Sequence, residues 1–311
     1  MNPMPTLLSV EHITRYRYSA PVELAHHLAY LRPLEGAAQQ VEEFEMSIVP
    51  EPMHRDDGAD RLGNHRSCFT VQQAHRGLEV RSRSRVRVQP PPALDAAHSA
   101  AWEAVRERLR YAAGRTFEPA NEFVHASPYV PWLAPLREWA ANAFAPQRPL
   151  AEVGIELMAR VNAEFAYRSA STDVDTPLAD VLRRHEGVCQ DFAHLLIGAL
   201  RTWGLAARYV SGYLLTTPPN DDPQAGAPEA QHAPWLGADA SHAWVALWCP
   251  LADGSGAHWL ELDPTNNVLP GNGHVRLAVG RDYGDVTPLR GVIRGGGEHQ
   301  LEVSVRTARL G

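Results

Sequence analysis

Apolar and polar residues alternate through the first 90 positions of the chain. Val10, His12, Thr14, Tyr16 and Tyr18 share one parity, and Phe44, Met46 and Ile48 share one further along. This is the two-residue period of half-buried strands. The clearest strand covers 78–88, with Leu78, Val80, Val86 and Val88 on one face and Glu79, Arg81, Arg83, Arg85 and Arg87 on the other. Such a ladder of like charges suits a solvated face that discourages edge pairing, or alternatively one that meets an anionic partner.

The period changes after Pro90-Pro91-Pro92. Trp102, Val105, Leu109 and Ala112 fall at helical spacing, with Gly114 placed to end the helix. A Pro-rich, aromatic stretch over 117–149, including Trp132 and Trp139, follows. A second helix is predicted from Leu150, Val153, Leu157, Val161 and Phe165, and a short third one with Thr176 as N-cap and Pro177 at its first position. From Val188 to Trp203 the residues Phe192, Leu195, Leu196, Ala199, Leu200 and Trp203 form one wide apolar stripe that Gly204 terminates, which predicts a buried central helix. Strands are expected at Ala207–Leu215, Ala243–Trp248 and Trp259–Leu262, and Leu301, Val303 and Val305 alternate near the end. The segment 216–240, rich in Pro, Asp, Ala and Gly, reads as a loop. These elements predict an α+β chain with a β-rich domain over 1–90, a helical and Pro-rich connection over 91–149, and a core with C-terminal strands over 150–311.

Composition narrows the function classes. At 311 residues with 44% hydrophobic and 21% charged positions, the chain can bury its own core without a stabilising metal or disulfides. A net charge of −7 argues against nucleic-acid binding by bulk electrostatics. All 29 basic residues are arginine, which we attribute to genomic codon bias. Three cysteines, Cys68, Cys189 and Cys249, cannot make a disulfide framework and point to a reducing compartment. Neither a signal-peptide pattern at the start nor a run of 18 apolar residues is found, so a cytoplasmic protein with no membrane partner is expected. The 15 histidines give no metal-binding spacing, so no metal and no cofactor is expected.

One cysteine stands in a special place. Cys189 lies in the first turn of the central helix, where free amides and the helix dipole favour a thiolate. Its helical phase turns the sulfur toward the sheet that follows. Strands 243–248 and 259–262 flank a turn-forming segment, and a hairpin centred near 252–253 sets His242 opposite Asp263. A carboxylate beside an imidazole fixes its tautomer and stabilises its charged form, as the general base of a thiol requires. Cys68 and Cys249 have no such surroundings and read as packing residues, as do His185 and His194 near the nucleophile.

At these residues the chain resembles a known family. The segment Gly187-Val188-Cys189-Gln190-Asp191-Phe192-Ala193-His194, the run from Ala207 to Tyr213, His242-Ala243-Trp244, Asp263-Pro264-Thr265-Asn266-Asn267 and Val279-Gly280-Arg281-Asp282-Tyr283 are similar to those of the bacterial transglutaminase-like family. Tyr16, Tyr18 and Asp60-Arg61-Leu62-Gly63-Asn64 resemble the β-rich domain that precedes its core. The resemblance implies a papain-like core of helices on an antiparallel sheet, a catalytic Cys189–His242–Asp263 triad and a peptide or protein substrate. It leaves open whether the acyl-enzyme is released by water or by an amine, or whether the fold is kept only for binding. The Cys189 amide is a natural oxyanion donor, with Tyr167 or Gln190 as candidates for a second. The 216–240 loop, with Trp235, leads into His242 and is expected to wall the substrate cleft.

Overall fold

The computed structural model describes residues 4–89, 95–169, 175–216, 235–237 and 241–310. Five strands, β1 (Thr6–Ala29), β2 (Gln39–Val49), β3 (His54–Ala59), β4 (His65–Val71) and β5 (His75–Val88), form a sheet in the order β2-β5-β1-β4-β3. The alternation seen in the sequence is their burial pattern: Leu8, Val10, His12 and Thr14 point inward, as do Leu78, Val80, Val86 and Val88.

The arginine ladder is a solvated face, as expected, but it protects no edge. Strand β5 lies between β2 and β1 and is no edge, so it has no open side to protect. Its arginines answer glutamates on the two flanking strands: Arg83 Nε meets Glu11 at 2.8 Å, Arg85 Nη1 meets Glu43 at 2.9 Å and Arg87 Nε meets Glu42 at 2.8 Å. Cross-strand charge pairing, not an anion site, accounts for the repeat.

Next come α1 (Trp102–Leu109), α2 (Ala134–Ala140), α3 (Leu150–Glu164), the two-residue strand β6 (Ala166–Tyr167), α4 (Leu178–Arg184), β7 (Glu186–Gly187) and α5 (Cys189–Thr202). Helix α1 stops at Leu109, short of Gly114, because its apolar stripe ends there: Tyr111 is exposed and offers no burial to extend it. Helix α4 starts at Leu178, after Thr176 and Pro177, since the Pro177 carbonyl accepts its first amide bonds, from Asp180 and Val181. Every residue of α5 from Asp191 to Thr202 is buried. At Gly198 the helix runs so close to α2 that a Cβ would sit 2.7 Å from Leu136 Cδ2.

The second sheet has the order β10-β9-β8-β11, all antiparallel, from β8 (Ala207–Leu214), β9 (His242–Pro250), β10 (Ala257–Leu262) and β11 (His274–Gly280). Ala243, Val245 and Leu247 pack with α3 and α5, while Val210, Trp244, Ala246 and Val279 pack with Leu34 and Leu62 of the amino-terminal part. A short helix, α6 (Tyr283–Val286), leads to β12 (Leu289–Gly295) and β13 (His299–Arg309), and both of these pair with β1. The chain's last strands therefore hydrogen-bond into the same sheet as its first.

Two carboxamides join the sheets. Asn64 gives Nδ2 to the Val279 carbonyl at 2.8 Å and takes the Val279 amide on Oδ1 at 2.7 Å. Gln39 does the same at Arg276, with both distances 2.8 Å. Each side chain reproduces a neighbouring strand's pattern along the outer edge of β11, and so satisfies backbone groups that burial would otherwise leave unpaired. No helix among the described residues is long and apolar enough to cross a membrane.

Candidate active site

Three elements meet at the ends of β9 and α5. The parallel pair of β6 and β7 sets Tyr167 beside Gly187 and delivers the chain to Cys189, the first residue of α5. Asp191 closes the helix start by accepting the Val188 amide on Oδ2 at 2.9 Å, one of the free donors of a helix beginning. Gly187 makes room for that carboxylate, since a Cβ there would lie 2.8 Å from Asp191 Oδ2. Cys189 is half-buried, its sulfur 4.0 Å from the Ser241 carbonyl at the start of β9. The sulfur thus faces the sheet, as the helical phase predicts.

The β9–β10 hairpin is real, with a register displaced from the expected one. It pairs Leu262 with Val245 and Ala257 with Pro250, so its turn centres one residue later and Asp263 continues the line opposite Trp244, not His242. A two-residue displacement preserves side-chain parity, and Asp263 still reaches His242 diagonally. His242 Nε2 and Asp263 Oδ2 are 2.9 Å apart, and both side chains are completely buried. With Nε2 given to Asp263, the nitrogen left to face the thiol is Nδ1, which is buried and makes no hydrogen bond among the described residues.

Asp263 is held from several sides. Its Oδ1 accepts the amides of Thr265 at 3.0 Å and Asn266 at 3.2 Å, and its Oδ2 also accepts Asn266 Nδ2 at 3.0 Å. Helix α3 steadies this turn through Asn162, whose Nδ2 donates to the carbonyl of Thr265 at 2.9 Å. Burial alone would raise the carboxyl, but the charges and hydrogen bonds of His242 and His274 hold it far below the usual carboxylate range. Burial likewise opposes a charge on His242, and Asp263, aided by Cys189, outweighs it and lifts the imidazole well above its ordinary value. The site thus favours an imidazolium beside the sulfur.

His274 is the residue that pattern reading missed. Its Nε2 lies 3.2 Å from the same Asp263 Oδ2. It belongs to β11, a strand buried at every position, which shows no alternation to reveal it. His185 and His194 are structural. His185 closes α4 in the left-handed conformation and stacks on Phe165, while the fully enclosed His194 accepts the Tyr283 amide at 3.2 Å and is pushed by burial down to about 3. Cys249 is buried, which pushes its thiol up, and Cys68 lies on β4 far along the first sheet.

Most of the loop expected to wall the cleft, 217–234 and 238–240, lies outside the described residues. Its described part covers the imidazoles. Trp235 packs edge-on against His274 at 5.2 Å between centroids, and the Leu236 amide donates to Asn266 Oδ1 at 3.0 Å. Gly237, with a φ of +79°, approaches so closely that a Cβ would lie 3.0 Å from His242 Nδ1 and 3.4 Å from the Tyr167 hydroxyl. Among the described residues, no group of three or more His, Cys, Asp or Glu is arranged to hold a metal ion.

The chain is similar to known proteins over most of its length. Residues 8–87 match the bacterial transglutaminase-like N-terminal region, and residues 137–264, which span Cys189, His242 and Asp263, match the transglutaminase-like superfamily. An uncharacterized protein of Mycobacterium tuberculosis is 40% identical over 300 residues, covering 95% of this chain and 90% of that one. Another, of Mycobacterium leprae, is 29% identical over 307 residues, covering 97% and 99%. The fold is similar to a crystal structure named as a candidate cysteine protease from Cytophaga hutchinsonii, with a TM-score of 0.72 and 18% identity over 100% of this chain and 93% of that one. With these two matches and a 40% identical relative along nearly its whole length, the chain belongs to the transglutaminase-like superfamily.

Proposed function

We propose that the protein is a thiol enzyme that cleaves amide or peptide bonds through Cys189, His242 and Asp263, with water as the favoured acceptor. The observation that carries this reading is the buried 2.9 Å bond from His242 Nε2 to Asp263 Oδ2, which leaves Nδ1 for a thiol at a helix start. In the first half-reaction the Cys189 thiolate attacks the carbonyl carbon and forms a C–S bond. The Cys189 amide stabilises the oxyanion. The His242 imidazolium then gives its proton to the nitrogen as the C–N bond breaks, releasing an amine and leaving a thioester. In the second, His242 takes a proton from water, hydroxide equivalent attacks the thioester, and the thiol is restored with a carboxylic acid as product. Asp263 stays ionised throughout and holds the imidazole in the required tautomer.

Water is favoured because it stands at about 55 M and nothing among the described residues marks an amine site. A reducing compartment such as the cytoplasm suits a chain whose three cysteines are all unpaired, and a peptide or protein is the substrate class. The test is incubation with glutamine-containing peptides, with and without a labelled primary amine, read by product mass beside C189A. A mass gain of one unit, or a cut peptide, in both samples supports hydrolysis. Amine incorporation would make the protein an acyltransferase, and no Cys189-dependent product from a broad peptide library would make it a binding module.

A further inference from the structure

The carboxylate of Asp263 serves two imidazoles. Its Oδ2 lies 2.9 Å from His242 Nε2 and 3.2 Å from His274 Nε2, and none of the three side chains is more than 1% exposed. The protonation of His274 is set by its second contact. Its Nδ1 accepts the Gly271 amide at 3.4 Å, which leaves the ring proton on Nε2, the nitrogen that meets Asp263. Burial disfavours a second proton, the charges of His242 and Arg276 act in the same sense, and only Asp263 acts against them; the net direction is downward. The indoles of Trp235 and Trp244 pack edge-on against the ring, at 5.2 and 5.4 Å. His274 is thus a neutral donor, not a competing cation.

We propose that His274 is a positioning residue of this site: its Nε2–H, held on β11, keeps Asp263 Oδ2 in line with His242 Nε2 and thereby keeps Nδ1 aimed at Cys189. This deepens the thiol-enzyme reading and rests on it. The other donors to Asp263, apart from His242 itself, come from its own turn, namely the amides of Thr265 and Asn266 and the Asn266 side chain. They fix the carboxylate within the turn but do not tie it to the rest of the sheet. His274 supplies that tie, because β11 lies at the opposite side of the sheet from β10, which carries Asp263 at its end. Any drift of the turn relative to the sheet would stretch the His242 bond first, and the His274 bond opposes that drift.

The test needs no substrate. Full-length protein is alkylated with iodoacetamide between pH 5 and 9, and Cys189 is followed by mass spectrometry with Cys249 as internal reference. H274F keeps the ring volume and its contacts with the two tryptophans but removes the donor. H274Q loses the ring but restores an N–H close to the place of Nε2. Positioning by the donor predicts that H274F slows Cys189 at pH 6 by about tenfold and moves its profile to higher pH, while H274Q stays within about threefold of the parent. A packing role predicts the reverse order. That reverse order, or two variants that both match the parent, overturns the proposal.

Should H274F fail to fold, imidazole NMR of the parent decides: a His274 proton on Nε2 across pH 5–8 supports the role, and a doubly protonated ring or a proton on Nδ1 refutes it. If parental Cys189 itself reacts no faster than Cys249 at pH 6, the thiol-enzyme reading fails and takes the role of His274 with it. An activated parent with an unchanged H274F removes the role of His274 alone.

Discussion

Asp263 lies one residue past the last rung of the β9–β10 ladder, where Leu262 faces Val245, yet its Oδ2 accepts a 2.9 Å bond from His242, the first residue of β9. The imidazole therefore depends on the charge of a residue that is not its ladder partner. D263N keeps the shape of this contact and removes the charge that sustains an imidazolium. Cys189 alkylation at pH 6, and any turnover, should fall by about 10²–10⁴. A loss smaller than threefold would mean that the carboxylate has no part in activating the thiol.

The two cysteines that most differ in setting should differ in reactivity. Cys189 is half-buried at a helix start, and Cys249 is wholly enclosed with its thiol pushed up. C189A should abolish rapid alkylation at pH 6 without lowering Tm by more than about 2 °C. C249A should leave that alkylation intact and cost about 1 kcal/mol, measured by urea unfolding, for the atom removed from the core.

Gly187 gives a purely steric test. An added methyl would meet both Oδ2 and Cβ of Asp191, at 2.8 and 2.9 Å, and must displace either the strand or the first turn of α5. G187A should destabilise by about 1–3 kcal/mol, as overpacking does, and slow Cys189 alkylation, because the Val188 amide would lose its cap. Normal stability together with normal reactivity would show that the first turn tolerates the shift.

Acid should unfold the protein through its buried neutral histidines. Burial pushes His12 and His27 down to about 4 and His194 to about 3. The unfolded chain takes up these protons below about 6.5, where the native state refuses them, so stability is lost as pH falls from about 6.5 toward 4. His242 has the opposite sign: its raised value stabilises the native state below 6.5, and that contribution disappears as pH rises through the native value. H194Q keeps an acceptor for the Tyr283 amide and removes one titrating group. It should lower the slope of unfolding free energy against pH by about one proton between pH 4 and 6, as urea melts at each pH would show.

Much of this site could be read from the chain because its parts announce themselves locally. The apolar stripe from Phe192 to Trp203 marks α5 and so places Cys189 at its start, and strand parity is robust enough that a hairpin register two residues off still joins His242 to Asp263. His274 escaped because β11 is buried on both faces and carries no period. The pairing of β12 and β13 with β1 was equally hidden, since the alternation of Leu301, Val303 and Val305 marks a strand but not its neighbour. The arginines of β5 were plain in the sequence, but their meaning depended on glutamates contributed by β1 and β2.

The amide side chains of Asn64 and Gln39 close the free border of β11, and β11 is the strand from which His274 reaches Asp263. The amino-terminal region therefore braces the strand that carries His274. Removing residues 1–89 would strip β12 and β13 of β1 and bare the outer edge of β11, and the fragment's first behaviour in solution should be to pair with another copy of itself.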